Sequence, residues 1–183
     1  MAVLSNNVLA GASIADDASG DDGAYKIEKS LRFNPGDSPY LTRTPSKAGN
    51  QRTFTISVWL KESSLDGGVH EVFTVASGGT SGDPRNELIV VYQNKIKIAM
   101  NPTGSSWMEC KCDDLFRDAS AWRHVCVAID TTQALDVERV KLYLNGKLRP
   151  FGTSSYPAQN QQLIVNSTYQ HSWGRYEAGN NYY

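Results

Sequence analysis

Glu62, Glu71, Glu87 and Glu109 stand isolated from one another along the chain. Cleavage of a glycosidic bond needs two carboxylates flanking it, one as acid and one as nucleophile or base. On a strand this reads as alternating acids, as in Glu-x-Asp-x-x-Glu, and no such stretch is present. Gly-x-Ser-x-Gly and Walker motifs are also missing, and His70, His124 and His171 have no nucleophile at a recognisable spacing. The expectation is a chain that is not an enzyme. Cys110, Cys112 and Cys126 make an odd set, a poor basis for a disulfide framework. Cys-Lys-Cys on a strand puts two thiols on one face, with His124 the nearest further ligand, short of the four a zinc site needs. Ordinary reduced thiols are expected.

Aromatic side chains suggest a different chemistry. Trp107, Tyr156, Trp173 and Tyr176 lie near loop-like stretches, where an indole or phenol ring can stack on a sugar face. The competing reading is that aromatics at strand ends are core, and Trp59 and Trp122 are expected to be structural. Asn166-Ser167-Thr168 is a formal glycosylation sequon, but no secretion route goes with it.

These residues need a frame, and the frame reads as strands. Thr53 to Leu60 alternates strictly, with Phe54, Ile56, Val58 and Leu60 on one face. A strand follows at His70–Ala76, then a loop, "SGGTSGDPRN". "ELIVVYQNKIKIAM" reads as a hairpin turning at Gln93-Asn94, with Ile96, Ile98 and Met100 inward. "RHVCVAID" and "RVKLYLNGKLRP" alternate again, and the second turns at Asn145-Gly146, the strongest short hairpin signal. "QQLIVNS" and "YQHSWGR" are shorter strand candidates. One helical turn is expected at 112–118. Val58, Trp59, Val127, Leu142 and Leu144 are expected in the core. Many short strands with turn chemistry between them predict an all-β sandwich or jelly roll.

The first 29 residues differ from the rest. Val3, Leu4, Val8 and Leu9 form two small apolar clusters, followed by Ala, Ser, Gly and the acids Asp16, Asp17, Asp21 and Asp22. The acids do not fit a calcium-loop spacing and read as a solvated tether. The apolar tip reads as a partner-binding anchor. The expected division is an attachment arm at 1–29 and a sandwich at 30–183. The 183 residues carry a net charge of -1, with no Lys/Arg block and no long apolar run. Nucleic acid and membrane are therefore not expected as partners, and no signal peptide is read at the start.

The order of "SLRF", "SPYLTRTPS", "RTFTISVWLK", "AWRHVCVAIDTT" and "RVKLYLNGK" resembles the concanavalin A-like, laminin G-type jelly roll. That resemblance implies an all-β concanavalin A-like (laminin G-type) β-sandwich, here with an extended N-terminal arm. It also implies a possible Ca²⁺ site at a loop rim, for which Asp83, Asn86, Asp130 and Asp136 are the candidates. Turn formation by the same residues is the competing reading, and no cofactor is otherwise expected. In the family a further strand, aromatic-Gly-Tyr with an apolar run, closes the sandwich. "GRYEAGNNYY" does not supply it, so closure differs, the chain is a shortened member, or a partner contributes the strand.

"MAVLSNNVLAGAS", "AYKIEKSLRFN" and "LTRTPSKAGNQRTFTISVWLK" further resemble virion fibre and surface proteins of tailed phages, especially the marine cyanophage type. This implies a structural protein of head or tail, made in the host cytoplasm and carried on the virion surface. Its expected partners are other virion proteins through residues 1–29, further copies of itself in a homo-oligomer, and host surface glycan. The alternative reading is a carbohydrate-binding module for host glycans.

Overall fold

The structure, a computed structural model, describes residues 30–34, 38–78 and 82–175. Val3, Leu4, Val8, Leu9 and Tyr176 lie outside the described residues. The compact unit that begins at Phe33 is a sandwich of two antiparallel sheets. The strands are β1 (Leu41–Arg43), β2 (Thr53–Leu60), β3 (Val69–Ala76), β4 (Arg85–Tyr92), β5 (Lys95–Asn101), β6 (Met108–Cys112), β7 (Arg123–Asp130), β8 (Val140–Leu144), β9 (Lys147–Arg149), β10 (Phe151–Ser154) and β11 (Gln170–Trp173). One sheet has seven strands in the order β1-β11-β3-β4-β5-β6-β10; the other has four, β2-β7-β8-β9.

Alternation sets the register of the smaller sheet. Val125, Val127 and Ile129 on β7 and Val140, Leu142 and Leu144 on β8 all point into the sandwich and are buried. They meet Phe73, Val75, Leu88, Ile89, Val91, Ile96, Ile98 and Met100 of the larger sheet. Both expected hairpin turns form, with positive φ at Gln93, Asn94, Asn145 and Gly146, the signature of type I′ turns. The Asn145 side chain also accepts a hydrogen bond from the His124 backbone at 2.8 Å, which ties the turn to β7. Cys110 and Cys112 do share one face: both are buried against the core, and burial pushes the Cys110 thiol up to about 12.

Several expectations fail. Trp59 is not in the core: the alternation that turns Phe54, Ile56 and Val58 inward turns Trp59 outward, and it is 47% exposed. Trp122 is 49% exposed for the same reason, two residues before the outward-facing His124. Val58 packs on the core but is only half-buried, as are Phe54, Ile56 and Leu60. β2 is an edge strand, and among the described residues nothing pairs with its free side. "QQLIVNS" is not a strand. Its Leu163, Ile164 and Val165 are buried in a turning segment bounded by positive φ at Asn160 and Asn166. No helical turn forms at 112–118; the short helix described is a 3₁₀ turn at Asp136–Glu138. Residues 30–34 carry no strand. No helix among the described residues is long and apolar enough to cross a membrane.

Candidate functional site

A cleft of about 590 Å³ opens at the β1 side of the sandwich, within the range of small-ligand sites. Pairing of β1 with β11 and of β11 with β3 builds its wall. Leu41 stands opposite Trp173, Arg43 opposite His171, and Trp173 opposite Phe73. The Trp173 and Phe73 rings meet at 4.6 Å and 51°, giving the cleft an aromatic floor.

The far wall is clipped in place by hydrogen bonds. Gly49 donates to the Asn166 carbonyl at 2.7 Å, and the Asn166 side chain donates to the Asn50 carbonyl at 2.8 Å. His171 Nε2 accepts from the Asn166 backbone at 3.0 Å, so its proton sits on Nδ1 and goes to the Tyr169 carbonyl at 2.9 Å. Burial first, and the charge of Arg43 as a lesser cause, hold the His171 pKa below the ordinary imidazole value. Both of its nitrogens are used, so His171 is a structural post rather than a group free for ligand. The cations on the lining are Arg43 and Lys47, and neither has an ion pair among the described residues.

The outward face of the larger sheet is a second polar concentration. The acids that stand apart in sequence come together here: Glu71 from β3 and Glu87 from β4 interact electrostatically. Glu87 pairs with Lys97 at 3.3 Å, while Oε2 of Glu71 has no hydrogen-bond partner. Burial, then the Glu87 charge, raises the Glu71 pKa well above the ordinary carboxylate value. Nearby, the Arg85 guanidinium lies 5.9 Å from the Trp107 ring centroid, and Trp107 is 43% exposed. Glu71 and Glu87 are buried, while Glu109, which interacts with Glu87, is partly exposed and pairs with Lys111 at 2.7 Å.

Of the aromatic candidates among the described residues, only Trp173 lines the cleft. Trp107 belongs to the other face, and Tyr156 is half-buried, packed edge-on against Phe151 at 6.4 Å. The calcium candidates do not converge. The Asn86 amide is buried, taking the Arg85 carbonyl at 2.8 Å and the Ile164 N–H at 3.2 Å. Asp83 lies against Gly78. Asp130 is occupied by Thr132, Gln133 and Thr53, and those hydrogen bonds, Thr132's first, lower its pKa. Asp136 accepts from the backbone of Val137 at 2.7 Å. These are the side-chain bonds of turn residues. Among the described residues no three His, Cys, Asp or Glu side chains are grouped to hold a metal ion. His124 does not join the cysteines either: it faces outward, bonded to Ser57 at 2.7 Å. Arg43, Lys47 and Phe73 went unnoticed as site residues because two cations two positions either side of Pro45 and one apolar strand position carry no motif.

Two facing antiparallel sheets with a short-strand, turn-rich topology define a jelly-roll β-sandwich. The chain belongs to the concanavalin A-like lectin/glucanases superfamily, whose laminin G-type model matches residues 35–183. No curated protein matches it. Among solved structures, the CBM40 of a Ruminococcus gnavus IT-sialidase, bound to α2,3-sialyllactose, superposes with a TM-score of 0.53 at 13% identity. The match covers 79% of this chain and 83% of that one. Domains LG4-5 of the mouse laminin α1 chain give 0.51 at 10% identity, over 74% of this chain and 31% of that one. At these identities the likeness is one of fold.

Proposed function

We propose that the chain is a non-enzymatic, glycan-binding sandwich of a tailed-phage virion, held to the particle through residues 1–29. The observation that carries the glycan reading is the cleft, with an aromatic floor and hydrogen-bond donors at its rim. A sugar presents C–H groups to a ring face and hydroxyls to the surrounding polar groups, and this lining offers both. The non-enzymatic reading is supported by the lack of a strand with alternating acids, such as Glu-x-Asp-x-x-Glu. The test is a glycan array with the full chain and Trp173→Ala. Binding of at least one glycan, weakened about tenfold or more in the variant, supports the reading; an empty array with folded protein overturns it.

The virion placement is favoured by the N-terminal resemblance and by the two apolar clusters followed by an acidic stretch. Each buried Val or Leu side chain could contribute about 1.5–3 kcal/mol before ordering costs, and repeated copies would add avidity. Deleting residues 2–12 is expected to leave the sandwich folded but absent from assembled particles. Incorporation at normal copy number would overturn the anchoring role.

A further inference from the structure

We propose that the cleft between β1, β11 and the 45–49 connection selects an anionic sugar, one bearing a carboxylate or a sulfate ester. This rests on the reading that the cleft holds a sugar, and adds the class of sugar.

Positive charge is neutralised over part of the surface and left open elsewhere. Lys95 pairs with Asp113, Lys97 with Glu87, Lys111 with Glu109, Lys141 with Glu138, and Arg149 with Asp114. Arg139 is spent on the carbonyls of Gln133, Ala134 and Pro157, and Arg123 on those of Ala121 and Asp118. Arg32, Arg43, Lys47, Arg52, Lys61, Arg117 and Lys147 have no ion pair among the described residues, and of these Arg43 and Lys47 share a cleft. They line one concave site, with no acidic residue among the described residues of its lining. Of the other polar side chains there, His171 holds backbone groups through both nitrogens and the Asn166 amide nitrogen holds the Asn50 carbonyl, while Thr42 adds a neutral hydroxyl. What the rim still offers a ligand is chiefly two positive donors beside an aromatic floor. A guanidinium favours an anion it can meet with two parallel hydrogen bonds, and because Arg43 and Lys47 are exposed the attraction is one that added salt weakens. A neutral sugar would use the floor and leave the charge unanswered.

The test is titration calorimetry on the full chain with three matched oligosaccharides, ending in a neutral, a carboxylated and a sulfated sugar. It is run at about 50 and about 300 mM salt. The proposal expects one or both acidic ligands to bind about tenfold tighter than the neutral one, with the advantage shrinking at the higher salt. The carboxylated and sulfated arms identify which anion is preferred. In Arg43→Gln/Lys47→Gln the acidic-to-neutral ratio should collapse to within about threefold, while Lys147→Gln, on the exposed hairpin, should keep it. Thermal melts of all variants check folding. Equal binding of neutral and acidic ligands overturns the anionic preference and leaves glycan binding standing. An acidic preference that survives the double substitution also overturns it. No binding by any of the three ligands, with the array also empty, overturns both readings.

Discussion

In the four-stranded sheet, burial alternates along a strand; at the centre of the seven-stranded sheet it does not. On β7 the residues Val125, Val127 and Ile129 are buried while His124, Cys126, Ala128 and Asp130 between them are partly open. On β4 every residue from Arg85 to Val91 is buried, on both faces. The smaller sheet is a simple amphipathic layer, and its stability comes from apolar area removed from water. The larger sheet also buries charge on its outward face, and each such group must be compensated or carries a desolvation cost. Lys97 compensates Glu87; Glu71 is left with an unbonded oxygen. The same protein therefore gains stability from one sheet's pattern and gives some of it up at the other's.

The largest expected effect is in the smaller sheet. Leu142→Ala should cost about 2–5 kcal/mol in denaturant unfolding, because it opens a cavity between two fully covered layers. Val58→Ala, on the half-buried β2 row, should cost clearly less than that. Equal losses would mean that the edge strand is as well packed as β8.

Glu71→Gln tests the larger sheet and should act in the opposite direction. The folded state raises the Glu71 pKa, so it holds the proton more tightly than the unfolded chain does. Stability then falls as pH rises from about 4.5 through the folded value. The substitution removes the charge that Glu87 opposes, with Lys97 and Arg85 as the neighbouring cations. A gain of about 1–3 kcal/mol near pH 7, closing towards pH 4, is the expected outcome. A variant less stable than wild type at pH 7 would show that the carboxylate is a net stabiliser.

A smaller effect of opposite pH sign belongs to the cleft. The folded state lowers the His171 pKa, so its contribution is complete above about pH 6.5 and is lost as pH falls through the folded value. His171→Gln should cost about 1 kcal/mol at pH 7.5, and the gap to wild type should narrow by pH 5. The smallest effect should be Trp59→Thr, within about 0.5 kcal/mol, because the ring stands half in solvent on the outer face. A loss of several kcal/mol there would mean that the outward layer is covered in solution.

These contrasts also explain what could be read from sequence. β2, β5, β7 and β8 announce themselves because one face is core and the other is not, and because Gln93-Asn94 and Asn145-Gly146 suit left-handed turns. Trp59 misleads only when residue type is allowed to override position: its place between Val58 and Leu60 already turns it outward. Leu163-Ile164-Val165 reads as a strand because three apolar residues in a row satisfy the pattern for a buried one. The chain instead buries them by bending between two asparagines in positive φ. Of the site, Trp173 was legible as an aromatic near a strand end. The cleft was not, because its walls come from segments about 130 residues apart and its charge is defined by the partners that Arg43 and Lys47 lack.

That separation has a kinetic consequence. The β4–β5 and β8–β9 hairpins close loops of two residues, whereas Leu41 meets Trp173 only after nearly the whole sandwich has been threaded between them. Loop closure over such a span is entropically unfavourable until other contacts have shortened it, so the β1–β11 rung is set late in folding. β1 has only three residues, all exposed, and is held by a single neighbour, which makes it an early candidate to fray in native-state hydrogen exchange. The wall that carries Arg43 is thus expected to assemble late and open early, and occupancy of the cleft would act as a latch on the end of the chain's folding pathway.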